Sequence, residues 1–267
     1  MRRRDACPHE DGRRCGAHSG DRARPLSKAG GRHKVANLGR YAKNHPDPTD
    51  TENNPGDSNP YGVAVARGGS VLVADAAANA LRRVTRWGRI TTVAHFPVQK
   101  ISTAHIPDPN LPPTLPAEAV PTTVAVGPDG YWYVGELKGF PFTPRTSRIW
   151  RIKPGTTNAM CSPTKRQRTC GMVAHDFTSI IDLTFDHRGG MDVFEIAKAG
   201  VGALESADPS KPLPPAALYR VKNGKRTELA AGKLFIGGGV AAPCRTGSLY
   251  VTDFQIVPDQ GRLLRVR

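Results

Sequence analysis

The sequence predicts an all-β protein, a β-propeller of which about four blades of four-stranded antiparallel sheet are visible. The first observation is a repeated frame. Val63, Gly69, Val73 and Asp75 return as Val124, Gly130, Val134 and Glu136, as Leu183, Gly189, Val193 and Glu195, and as Ala241, Gly247, Val251 and Asp253, with internal steps of 6, 4 and 2 residues and copies 61, 59 and 58 residues apart. Such a fixed period marks an array of supersecondary units, each burying its faces against the next. The second observation is a third run in every copy, Leu81-Arg82-Arg83-Val84, Ile149-Trp150-Arg151-Ile152, Leu218-Tyr219-Arg220-Val221 and Leu263-Leu264-Arg265-Val266. The third is the chemistry of the runs: short, alternating in polarity, rich in Val, Ile, Thr and Tyr, and bounded by Gly, Pro, Asp and Asn, which is the signature of strands.

Each copy opens on two strands joined by a glycine turn, and the run just described supplies strand three. Arg89 to Val93, Arg168 to Val173 and Lys225 to Leu229 supply strand four in the first three copies. A meander of this kind, repeated radially, makes a propeller. The expected blades are 59–118, 119–177 and 178–236, with a last, incomplete one at 237–267. Residues 24–58 read as the final strand of a preceding blade plus a linker, the strand lying at Gly31–Leu38, and residues 1–23 as a disordered basic tail. A total of 28 Gly and 24 Pro suits a turn-rich all-β chain.

The net charge of +15 invites a nucleic-acid reading. Residues 1–45 hold 12 Lys/Arg against 4 Asp/Glu, so much of the excess sits on a segment with little apolar content. The blades offer no regular aromatic platform or recognition helix, so no specific nucleic-acid partner is expected. No run of about 18 apolar residues exists, so no membrane span is expected. Met1 to Pro8 is basic without the apolar stretch of a secretory signal. Cys161 and Cys170 bracket a basic connection that a disulfide could clip in an oxidising compartment. Cys7, His9, Cys15 and His18 have a spacing that matches no established structural zinc pattern.

In a meander the turns between strands one and two, and three and four, share one face of the disc. Here they are short, as in Gly127-Pro128-Asp129-Gly130 and Asn223-Gly224. The opposite face receives the long connections at 96–120, 137–145 and 196–215, where binding residues concentrate. Asp75, Glu136, Glu195 and Asp253 end strand two of each copy and enter that face, with Asp182 added at the start of an innermost strand. This array is the candidate ligand-binding set. It could coordinate calcium or another divalent cation, or bind a cationic ligand. Alternatively, each carboxylate caps the N–H groups of its own turn. Arg83, Arg151, Arg220 and Arg265 occupy one register and are expected to pair with acidic groups nearby. No hydrolytic nucleophile motif, His-Glu-x-x-His or phosphate loop is present.

Asn59-Pro60-Tyr61-Gly62-Val63, Val73 to Leu81, and above all Val120 to Phe142 resemble the ScyD/ScyE family of NHL-related propeller proteins, named for scytonemin biosynthesis. The resemblance covers roughly residues 24–267. It implies a six-bladed disc of which this chain is an open part, lacking about two blades, in an N-terminally truncated frame, and it implies export. A closed four-bladed ring is the competing geometry, completed by the 31–38 strand. The function implied is a ligand- or protein-binding scaffold using its long-loop face, the partner being an unknown small molecule or protein. The alternative is a metal-dependent propeller enzyme, lactonase-like or acting in secondary metabolism.

Overall fold

The computed structural model describes residues 33–163, 168–208, 210–243 and 247–267. The first blade comprises β1 (Pro60–Ala66), β2 (Ser70–Asp75), β3 (Ala80–Val84) and β4 (Ile90–His95), preceded by helix α1 (Leu38–Asn44). A hairpin of β5 (Gln99–Ser102) and β6 (Thr114–Ala117) follows. The second blade comprises β7 (Pro121–Val126), β8 (Trp132–Glu136), β9 (Ser147–Ile152) and β11 (Cys170–Phe177). Its last connection carries β10 (Ala159–Met160), which pairs in parallel with β4 at the outer edge of the first blade. The third blade is β12 (Ile180–Phe185), β13 (Met191–Glu195), β14 (Ala217–Lys222) and β15 (Lys225–Leu229), with helix α2 (Val201–Glu205) between β13 and β14. The fourth sheet has three strands, β16 (Val240–Ala241), β17 (Leu249–Asp253) and β18 (Arg262–Val266). Consecutive antiparallel pairing throughout makes these sheets propeller blades.

The repeated frame is a physical pairing. Val63 lies opposite Val73, Val124 opposite Val134, and Leu183 opposite Val193. The fourth copy slips by one, because Val240 rather than Ala241 opposes Val251. Val240 is buried in the apolar cluster beneath the blade while Ala241 faces outward, and burial fixes register. The first three innermost strands share a further feature, a bulge within their first residues, at Pro60/Gly62, Pro121/Thr123 and Ile180/Asp182.

Three apolar clusters fill the spaces between successive blades. Leu72, Ala74 and Leu81 of the first blade meet Val134 and Trp150 of the second. Ile149 and Phe177 meet Leu183 and Val193. Phe194 and Leu218 meet Val240, Leu249 and Val251. The innermost strands β1, β7, β12 and β16 pack against one another in that order. Gly62 is required there: a Cβ would strike the Thr122 carbonyl oxygen and lie 2.8 Å from the Thr123 Cα, so only glycine lets β1 approach β7.

Among the described residues no comparable packing joins the fourth sheet back to the first. The outward stripe of β1, Tyr61, Val63 and Val65, is exposed, Val63 at 67 %. Tyr250 and Leu263 are exposed on the outward face of the fourth sheet. Of the strand expected at 31–38, residues 31–32 lie outside the described residues, residues 33–37 are irregular, and Leu38 begins α1, whose start Asn37 caps by accepting from the Arg40 N–H. Tyr41 of this helix stacks against Arg82 and its hydroxyl bonds Thr92, so the segment lies over the outer strands of the first blade instead of completing the last. The tail at 1–23 and its Cys/His residues lie outside the described residues.

Candidate functional site

The structure gives the strand-two carboxylates equivalent places but separate surroundings. All four are buried. Asp75 accepts from the Ser58 hydroxyl at 2.9 Å and the Asn59 N–H at 2.8 Å, and faces the Arg82 guanidinium at 3.9 Å. Burial nevertheless raises its pKa against those contacts. Glu136 accepts from the Trp150 indole N–H at 2.5 Å and pairs with the equally buried Lys138 ammonium at 2.8 Å. Asp253 holds Arg262 through two bonds at 3.0 and 2.6 Å. Glu195 accepts the Thr178 N–H at 2.7 Å, and burial pushes its pKa up to about 8. Asp182 is bonded by the Thr123 hydroxyl and the Val240 and Leu183 N–H groups, at 2.8 Å each, and burial raises its pKa as well. Asp75 and Glu195 thus tie down the backbone just before the innermost strand of their own blade.

These five carboxylates do not converge. Among the described residues, no three His, Cys, Asp or Glu side chains form a group able to hold a metal ion. The repeated arginines diverge too: Arg151 pairs with Asp129 at 2.7 Å and Arg220 with Asp192 at 2.9 Å, whereas the Nε of Arg83 has no hydrogen-bond partner among the described residues. The Cys161–Cys170 disulfide is formed, with Cα atoms 5.3 Å apart. It fastens β11 to the segment that β10 carries along the first blade, where the Cys161 N–H donates to the His95 carbonyl at 3.0 Å.

A concavity does open on the long-loop face, beside the chain that follows Asp75. It holds about 150 Å³ and is lined by Asp50, Glu52, Asp57, Asn59, Ala76 and Glu118, among others. Asn59 is the residue whose N–H holds Asp75, and Ala76 follows Asp75 in the chain. The wall is built by a buried network. Asn79 donates through its amide to Asp47 at 2.8 Å and to Glu118 at 2.7 Å, and Glu118 accepts from the Thr51 N–H at 2.5 Å and its hydroxyl at 2.9 Å. Burial alone would raise the Asp47 pKa, but bonds from His95, Thr49 and Asn79 outweigh it and hold the carboxyl below its usual range.

The sequence reading missed this pocket because it treated 24–58 as a strand and linker. The signal that could have marked it is the density of Asp, Asn and Pro from Pro46 to Asn59, acidic in a strongly basic chain. Asp47, Asn79 and Glu118 were brought together by tertiary contact alone.

No protein-family model matches the chain, and no curated protein does. Among solved structures it is similar to a catalytically inactive virginiamycin B lyase from Staphylococcus aureus with quinupristin, at 15% identity and a TM-score of 0.46, covering 79% of this chain and 56% of that one. It is similar to a putative gluconolactonase at 13% identity and a TM-score of 0.43, covering 74% and 56%. It is similar also to a putative glucose dehydrogenase from Thermus thermophilus at 16% identity and a TM-score of 0.46, covering 82% and 68%. The chain spans little more than half the length of the first two. At these identities and scores no activity is carried across, and the assignment to the class of propeller-type repeat proteins rests on the sheets themselves.

Proposed function

We propose that this chain is a binding scaffold that takes a small organic cation, an amine or guanidinium, on its long-loop face. The observation that carries the reading is the acidic pocket beside the chain that follows Asp75: carboxylates of Asp50, Glu52, Asp57 and Glu118 line one concavity in a chain whose net charge is +15. A carboxylate-lined cleft concentrates cations locally even when the molecule as a whole repels them. The acids are spread around the opening rather than gathered on one point, which suits a cation of several atoms that hydrogen-bonds at both ends. The resemblance to the ScyD/ScyE family supports a scaffold of this architecture and leaves the ligand to the pocket's own chemistry.

The test is thermal unfolding with a panel of diamines and guanidines beside calcium chloride. A ligand at about 100 times its Kd adds about 2.7 kcal/mol to stability. An amine-dependent rise in Tm that Glu52→Gln with Asp57→Asn abolishes is expected. A rise with calcium alone, or with none of the panel, sinks the reading.

A further inference from the structure

The face opposite the pocket carries the reverse charge. The tight turns between β1 and β2, β3 and β4, β12 and β13, and the β14–β15 hairpin present Arg67, Arg86, Arg89, Arg188, Lys222 and Lys225, all exposed. The carboxylates on this side are engaged by strand arginines: Asp129 by Arg151 at 2.7 Å, and Asp192 and Asp186 by Arg220 at 2.9 and 3.5 Å. Among the described residues no ion pair neutralises the six turn-borne cations, and Arg188 leans only on the His187 ring at 3.2 Å. These four turns are short.

One turn also carries an apolar anchor. Trp87 is 78 % exposed, the Arg86 guanidinium stacks 4.2 Å from its ring centre, and Arg89 lies two residues on. Gly88 fits against the backbone carbonyl of Val35, whose own side chain is 52 % exposed. An exposed indole and valine set among arginines that form no ion pair among the described residues is the chemistry of a peripheral anionic-lipid contact: cations meet headgroup phosphates and carboxylates, and the indole enters the interfacial layer.

We propose that the short-turn face docks this protein onto an anionic lipid surface, with Trp87 as its inserted anchor, leaving the acidic long-loop face directed to solution. The proposal stands apart from the cation pocket, because it rests on the opposite side of the blades.

The experiment is sedimentation of the full chain with phosphatidylcholine vesicles containing or lacking about 30% phosphatidylserine, in about 0.1 M and about 1 M salt. Binding to the anionic vesicles alone, lost in high salt, is expected. Of the three tryptophans, Trp132 and Trp150 are buried, so a move of the emission to shorter wavelength on binding reports Trp87. Arg86→Glu with Arg89→Glu should lower partitioning on the order of tenfold. Lys211→Glu with Lys233→Glu, an equal charge change on the long-loop side, should leave it within about twofold. Lys222→Glu with Lys225→Glu, on a separate hairpin, repeats the test should the first pair disturb folding. Equal binding to neutral vesicles, an unchanged Trp87 emission, or equal loss from reversals on both faces overturns the proposal. Binding of duplex DNA without binding of vesicles overturns it in favour of a nucleic acid.

Discussion

The Asp182 carboxylate accepts a hydrogen bond from the Val240 backbone N–H at 2.8 Å, while its other oxygen takes the Thr123 hydroxyl at 2.8 Å. One side chain near the start of β12 thus bridges the innermost strands of the second, third and fourth blades. It occupies the repeat position of Gly62 and Thr123, just past the shared bulge, so the frame puts a contact to the next blade at each innermost strand. Removing the acceptor by Asp182→Ala leaves a buried N–H and a hydroxyl unmatched, at a cost of about 1–3 kcal/mol. Urea unfolding followed by tryptophan fluorescence should show that loss, with Asp182→Asn costing less because one acceptor oxygen survives. An unchanged midpoint for the alanine variant would remove the bridge from the account.

Glu195 gives the fold a pH dependence with a definite sign. Its folded pKa of about 8 stands above the ordinary 4.5, because burial disfavours the carboxylate. A group whose folded pKa is raised contributes stability that is full below the unfolded value and is lost as pH rises through the folded one. The protein should therefore weaken between about pH 4.5 and pH 8 by up to about 1.4 kcal/mol per pH unit from this group. Melting curves of wild type and Glu195→Gln across that window should converge in slope at acid pH and diverge above it, the variant being the flatter of the two. Parallel curves would show that Glu195 titrates normally.

The buried Glu136–Lys138 pair should behave as a unit. Lys138→Met alone strands a buried carboxylate and should cost about 3–5 kcal/mol. Adding Glu136→Gln should restore most of that loss, since glutamine still offers an acceptor to the Trp150 indole. A double-mutant cycle by chemical denaturation measures the coupling, and additive losses would show that the two do not interact.

Reduction of Cys161–Cys170 should cost about 2–3 kcal/mol by releasing a short loop, and should be mimicked by the double serine variant. Hydrogen exchange should rise first at the Cys161 N–H and along β4, where β10 is held against the first blade. Exchange unchanged at those amides would show that the pairing does not depend on the clip.

The sequence by itself determined the blades. Val124 with Val134 and Leu183 with Val193 are buried in pairs, the turn glycines accept positive φ, as at Gly130 and Gly189, and a strand period of two leaves few alternatives for strands one to three. Only tertiary structure decided the rest. Ala241 and Val240 are both apolar and adjacent, so the one-residue slip of the fourth copy was settled by which of them the cluster beneath could bury. Over residues 33–38 the expected strand gave way to an irregular segment and the start of α1, and Tyr41 meets Arg82 and Thr92 on the outer strands of the first blade. The acids looked like one array, yet they have separate partners: Asn59 for Asp75, Trp150 for Glu136, Thr178 for Glu195, Arg262 for Asp253 and Val240 for Asp182. Local pattern sets which residues form strands and which ends they occupy. The acidic pocket needed Asp47, Asn79 and Glu118 to meet across 71 residues of chain, and that meeting is enforced by packing between elements, which no local pattern encodes.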